Sequence, residues 1–194
     1  MKTHKDAEEV LAFWFGASDA PDHGQARAAW FKKDPAFDDG IRASFGALHG
    51  RAVAGECEAW AQDARGCLAL IILFDQFSRN LYRDDPRAFA TDGRARALAR
   101  QAIERGYDRA VLSELRTFFY LPFEHSEALE DQKLSIRLFE GNDGVAEHAN
   151  KRDYARRHYA VIARFGRFPH RNASLERAST PEELEFLKHT PSGF

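Results

Sequence analysis

Four places in this sequence put groups capable of acid–base or ionic chemistry where a helix should be dry. In LALIILFDQFSRN, residues 68–80, Asp75 and Arg79 stand four apart with the acid first, the spacing and order that favour an ion pair on one helical face. They continue a stripe begun by Leu68 and Ile72, so the pair should lie at the end of a buried helix, where each charge needs further partners. In DYARRHYAVIARF, residues 153–165, His158 falls within a stripe of Tyr154, Val161 and Phe165, with Ala155 and Ile162 beside it. In FFYLPFEHSEALEDQ, residues 118–132, Glu124 and His125 follow Pro122. If one helix runs on through that proline, His125 shares a face with Phe118, Leu121, Leu129, Ile136 and Phe139. Finally RFGRFPHRN, residues 164–172, gathers Arg167, His170, Arg171 and Asn172 on the turn after a helix that should end near Gly166. The order aromatic, spacer, arginine, asparagine at Phe77–Asn80 resembles that ending.

Each place also has a plain structural reading. An Asp–Arg pair can be an internal strut, and a histidine on an apolar face is often a hydrogen-bonded core residue. Asn80 and Asn172 suit left-handed helix caps, and arginines near helix C-termini complement the dipole. Glu124, Glu127 and Asp131 would form a solvated acidic face, a reading that fits Glu127 best. What favours chemistry is the coincidence. Asp75, Arg79, His125 and His158 all break apolar stripes, buried polar groups need partners, and one shared cluster would supply them. Phe165 and Phe168 should then anchor the last turn, with Arg171 and Asn172 facing inward toward Asp75 and His125.

Helices must position these groups. Asp6 can cap a first helix that ends at Gly16. Asp34 and Pro35 form an N-cap followed by proline at the first helical position, and Asp85–Pro86 repeats the device. Thr180, Pro181 and Glu183 write a capping box. Amphipathic runs lie near residues 64–80, 92–105, 113–140 and 150–166, while period-2 alternation is lacking. The expected fold is all-α, a bundle or array of about eight antiparallel helices in a single domain, residues 1–194. Sixteen phenylalanines foretell an aromatic core.

Composition limits the partners. A formal net charge of −2 offers no broad basic field for nucleic acid. The longest apolar run, CLALIILF at 67–74, is too short to span a bilayer, and the N-terminal stretch lacks the apolar centre of a signal peptide. Cys57 and Cys67 stand in no metal or redox spacing, which suggests a reducing cytoplasmic compartment.

The strings WFKKDPAF, LALIILFDQFSRNLYR, FFYLPFEHSE, RRHYAVIARFGRFPHRN and STPEELEFL occur in this order. Together they resemble the bacterial domain-of-unknown-function family 924, from about residue 10 to the end. The resemblance implies an all-α, TPR-like fold of antiparallel helix pairs and brings no settled activity. It departs from the family pattern twice. Ser78 stands where proline is usual, which would soften a loop entry there, and Leu175-Glu176-Arg177 replaces a usual Leu-Gly-Arg, which puts a glycine-dependent turn in question. Positions that match the family's motifs include Asp75, Gln76, Arg79, Asn80, Glu124, His125, His158, His170, Arg171 and Asn172.

Three readings of function follow. The first is a small-molecule site, binding or catalytic. Asp75, Arg79, Asn80, His170, Arg171 and Asn172 would hold an anionic metabolite, with Arg79 and Arg171 gripping it, while His125 or His158 moves a proton and Glu124 or Asp75 orients it. No cofactor is named by the sequence. A metal held by Glu124, His125 and His158, with or without Asp75, is disfavoured, because adjacent Glu and His diverge by about 100° on a helix and no HExxH or ExxH spacing is present. The second reading is a TPR-like module for a protein or peptide partner, with arginines catching a terminal carboxylate. The third is a purely structural polar network.

Overall fold

The computed structural model describes residues 4–141 and 148–190. It is all-helical, without a strand among the described residues. The elements are α1 (Lys5–Phe15), α2 (Pro35–Val53), α3 (Ala64–Ile71), a π-helical stretch (Ile72–Phe77), α4 (Ser78–Leu81), α5 (Asp92–Glu104), α6 (Ser113–Glu124), α7 (Leu129–Glu140), α8 (His148–Phe165) and α9 (Pro181–His189). With α3, the π stretch and α4 counted as one continuous rod, eight helical rods are described. The chain divides into two compact units, one of residues 1–83 and 87–119 and one of residues 84–86 and 120–194. Residues 1–3, 142–147 and 191–194 of the expected single domain lie outside the described residues.

In the first unit the core is aromatic. Trp14 lies against Trp30, Phe77 and Phe118, with ring centroids 6.1, 5.5 and 5.9 Å away. The rod α3–π–α4 is its centre: every residue from Cys67 to Ser78 is buried. It starts at Asp63, whose carboxylate accepts from Gly66 N at 2.9 Å. The expected Asp34–Pro35 cap is present, with Asp34 Oδ1 accepting from Ala36 N and Phe37 N at 3.0 and 3.3 Å.

Two expected helix starts differ. The first helix begins at Lys5 with His4 as its N-cap, so Asp6 sits inside the first turn and pairs with Arg51 at 3.2 Å. Asp85–Pro86 opens only a short 3₁₀ turn, Pro86–Ala88, and the next α-helix waits until Asp92.

The rod also contradicts the reading of Ser78 as a loop entry. Helix continues through residue 78, and Ser78 is fully buried. The preceding π turn is wider than an α turn, so several carbonyls there take side-chain donors. Thr91 Oγ1 donates to Phe74 O at 2.6 Å, Arg79 Nη1 to Asp75 O at 2.5 Å, and Ser78 Oγ to Leu73 O at 3.4 Å.

The second unit contains α7 and α8, which pack along each other, as a TPR-like helix pair would. The run at 113–140 is two helices rather than one kinked helix. Pro122 withdraws the N–H that would bond Phe118 O, and α6 stops two residues later at Glu124. Residues 125–128 turn, so Leu129 and Ile136 do not continue the stripe of Phe118, and Leu129 is 38% exposed. The face of α7 that is buried carries Gln132, Ser135 and Phe139. On the far side of α8, Val161, Ile162 and Phe168 form a small core against which Phe165 and Phe186 pack. Both anchoring phenylalanines are therefore where the sequence implied.

The turn after the HRN motif is left-handed despite the missing glycine. Glu176 has φ 53°, Glu176 N donates to Ala173 O at 3.2 Å and Arg177 N to Asn172 O at 2.8 Å. The same Schellman pattern ends α2, where Gly55 takes the left-handed position at φ 91°. A side chain in this conformation costs roughly 1–2 kcal/mol, more than the chain-entropy cost of glycine, about 0.5–1 kcal/mol. Glu176→Gly should therefore stabilise the protein by about 0.5–1 kcal/mol in urea unfolding. A loss of stability would show that the Glu176 side chain holds the turn by other means.

Candidate functional site

The sequence-derived residues fall into both units, and each set is described by itself. In the first unit, Asp75 is 1% exposed and lies on the π-helical stretch, with Arg79 Nη1 within 3.3 Å of its Oδ1. The guanidinium fork is then completed by Asp92, at 2.9 and 3.0 Å. Burial works against the charge on Arg79, but Asp75 and Asp92 outweigh it and raise its pKa further. An incoming anion would have to displace a carboxylate here. Gln76 Nε2 donates to Asp75 Oδ2 at 2.5 Å. Asn80 is no left-handed cap. It lies within α4 and its Nδ2 donates to Asp38 Oδ1 at 2.8 Å, a carboxylate that Arg83 also grips. Beside them, His49 Nε2 and Thr91 Oγ1 each lie 2.8 Å from Ser78 Oγ, and burial lowers the His49 pKa.

The second unit gathers Glu124, His125, His158, His170 and Arg171. His158 lies on the buried face of α8 with Ala155, while Tyr154, expected in that stripe, is 49% exposed. The His158 Nδ1 is 2.8 Å from Tyr154 O and 3.4 Å from Glu124 Oε1. Its ring centroid is 6.3 Å from His125 and 5.7 Å from Phe168. Arg171 Nη2 donates to His125 O at 2.9 Å, and its Cζ stands 4.5 Å from the Phe168 ring centre. His170 lies 5.5 Å from the same ring, on its neighbouring side chain. Glu124, His158 and Arg171 are buried, whereas His125 and His170 are partly exposed.

Burial, first, and then the positive potential of His125, Arg171 and His170 push the His158 pKa down to about 3; the carbonyl of Tyr154 opposes them weakly. His158 is therefore neutral near pH 7. Its approach to Glu124 is that of a dipole to a carboxylate, not an ion pair. With the Nδ1 proton committed to Tyr154 O, Nε2 is left as the acceptor. A group this hard to protonate is a weak base near neutrality.

Glu127 and Asn172 belong to a neighbouring strut. Glu127 is not part of a solvated face. It receives Phe168 N at 2.8 Å and a two-pronged contact from Arg177 at 2.8 and 2.9 Å, and these hold its pKa low against the burial that would raise it. Asn172 faces inward, at 1% exposure, but onto partners other than those expected: it donates to Ser179 Oγ at 3.0 Å and Glu183 Oε2 at 3.2 Å and accepts from Arg177 at 3.1 Å. Its φ and ψ of −59° and −44° are right-handed, so it is no left-handed cap either. The Thr180–Glu183 capping box closes this strut, with Arg167 on Glu183 at 2.6 and 2.8 Å. Arg167 above all holds the Glu183 pKa down to about 2.

Asp92, Asp38 and Arg177 carry no local mark as partners, because each lies 5 to 50 residues from the group it holds. Among the described residues no three His, Cys, Asp or Glu side chains are grouped so as to hold a metal ion, and no helix is long and apolar enough to cross a membrane.

The profile of the family described as "Bacterial protein of unknown function (DUF924)" matches residues 10–191. The chain belongs to this family. Its fold is similar to that of a solved protein of unknown function from Agrobacterium tumefaciens, with 40% sequence identity and a TM-score of 0.83 over 94% of this chain and 97% of that one. No curated protein matches. The family match takes in both polar sets, Asp75 to Asn80 and Glu124 to Asn172.

Acid should unfold the protein through these groups. Unfolded, His158 binds a proton near 6.5; folded, near 3. Between these values the unfolded chain holds more protons, so this contribution is full above pH 6.5 and is lost as pH falls toward 3, at up to about 1.4 kcal/mol per pH unit. His49, also lowered, acts in the same direction. Glu183 adds a second loss as pH falls from 4.5 toward 2. His158→Gln should visibly flatten the decline of stability between pH 6.5 and 4.5 in urea unfolding. An unchanged slope would show that His158 titrates normally.

Proposed function

We propose that the second unit carries a binding site for a small anion, formed by His125, His170 and Arg171, with Glu124 and neutral His158 behind them. The observation that carries this reading is the gathering of His125, His158, His170 and Arg171 about the Phe168 ring and the end of α6, with the Glu124 carboxylate 3.4 Å from His158 Nδ1. Arg171 supplies a planar fork for a carboxylate or phosphate, and two partly exposed imidazoles add donors when protonated. His125 is the candidate for proton transfer, and Glu124 and His158 orient what is bound. We leave Arg79 out of the grip, since Asp75 and Asp92 already occupy it.

A peptide-binding module would spread these residues along an open groove. The gathering of five of them within one unit favours a compact ligand. Two buried free thiols, Cys57 and Cys67, the latter with its pKa pushed up by burial to about 12, suit a reducing compartment, and we place the protein in the cytoplasm on that basis.

Isothermal titration with succinate and with inorganic phosphate at low salt tests the site. Wild type should bind at least one of them, and His125→Ala and Arg171→Ala should each weaken that binding by about 10–100-fold, the loss of one charged hydrogen-bonding partner. Circular dichroism confirms that the variants remain folded. Unchanged affinity in both variants, or no binding to wild type, would refute the assignment.

A further inference from the structure

The first unit holds a histidine and a serine in hydrogen-bond contact, the pairing used by a base and its nucleophile. His49 Nε2 lies 2.8 Å from Ser78 Oγ, Ser78 Oγ lies 2.8 Å from Thr91 Oγ1, and Thr91 Oγ1 lies 2.6 Å from Phe74 O. All three side chains are buried, and they come from three segments: α2, the start of α4 and the residue before α5. Counting protons decides which way these contacts run.

The count starts at Phe74 O, which can only accept. Thr91 has one hydroxyl proton. Two oxygens 2.6 Å apart with no proton between them would repel, so Thr91 donates to Phe74 O. The proton between Thr91 and Ser78 must then come from Ser78, whose 3.4 Å approach to Leu73 O is the weak branch of the same donor. With that proton placed, Ser78 Oγ can only accept from His49, and Nε2 must carry a ring proton. Burial lowers the His49 pKa, so the ring is neutral near pH 7 and its single proton sits on Nε2.

The far end of the chain is a diverted helix cap. Thr91 occupies the N-cap of α5, where a threonine hydroxyl ordinarily accepts from the helix's own N–H, yet it makes no such bond. Its hydroxyl is turned to the π turn instead. Next to it, Asp92 receives Arg79, whose Nη1 also donates to Asp75 O. Residues 91 and 92 thus serve two consecutive carbonyls of the wide turn, Phe74 O directly and Asp75 O through Arg79. We infer that His49, Ser78 and Thr91 form a one-way lock on the π turn: His49 donates, Ser78 and Thr91 relay, and Phe74 O receives. Ser78 is then no activated nucleophile, because the ring nitrogen that faces it has no lone pair to take its proton.

Two measurements on the full chain test the lock. Nitrogen-15 NMR at pH 8 reads the His49 tautomer in wild-type protein, where the lock requires the Nε2–H form. A His49 protonated on Nδ1 overturns the direction of the chain and restores the serine–histidine pair as a nucleophile and its base. Amide hydrogen exchange then reads the turn itself. Thr91→Val keeps the shape and removes the donor to Phe74 O, so the amides of residues 77–80 should exchange about tenfold or more faster, with those of α7 as the reference. Thr91→Ser keeps the hydroxyl and should restore slow exchange. Exchange at residues 77–80 that is unchanged in Thr91→Val, or that quickens equally in Thr91→Ser, overturns the lock. The tautomer is read on the wild type, so a Thr91→Val variant that fails to fold leaves the direction of the chain open to refutation.

Discussion

The constraint on which this structure depends is that the last carbonyls of each helix have no partner within that helix. Side chains supply the missing donors, and most of them are arginines. Arg94 takes Val53 O and Ala52 O at the end of α2, Arg42 reaches Leu81 O at the end of α4, and Arg27 takes Phe13 O near the end of α1. The end of α6 is served by Gln132 on Glu124 O and by Arg171 on His125 O. A carbonyl accepts but cannot neutralise, so an arginine used this way keeps its charge. Where a carboxylate completes the fork, as Asp92 does for Arg79, the group becomes a closed strut. Arg171 is aimed at a carbonyl and at the face of an aromatic ring, with three imidazoles and one carboxylate in the same cluster.

Local signals in the sequence were legible where the physics is local. Asp34 before Pro35 and Thr180 before Pro181 and Glu183 announce helix starts, since the capping atoms are within three residues of the N–H groups they serve. The buried run Cys67–Ser78 was readable because a rod apolar on two opposite faces has to be central. His158 proved buried for the same reason of phase, whereas His125, also read onto an apolar stripe, is partly exposed. Asp6, by contrast, looks like a cap and is not one, because its carboxylate pairs with Arg51, which is 45 residues away.

Phase was lost where the helix changed its pitch or stopped. Pro122 ends α6 early, so a stripe drawn through residues 118–139 picked Leu129 and Ile136 and missed Gln132 and Ser135. The π turn at Ile72–Phe77 shifts the register by one residue and makes Ser78 a helical core residue instead of a loop entry. Partners distant in sequence, such as Asp92 for Arg79 or Glu183 for Asn172, leave no local mark. The same limit applied to the idea of one polar cluster. Stripe-breaking residues announce that partners exist, but the identity of those partners is a tertiary fact.

Nitrogen-15 NMR of histidine-labelled protein tests the central claim most directly, by reading the charge and tautomer of each imidazole in the presence and absence of phosphate. The account predicts that His158 stays neutral from pH 8 down to below pH 5, with its proton on Nδ1, and that His125 and His170 shift when phosphate is added. A His158 that protonates near pH 6.5, or a set of imidazoles that ignores the anion, would contradict it.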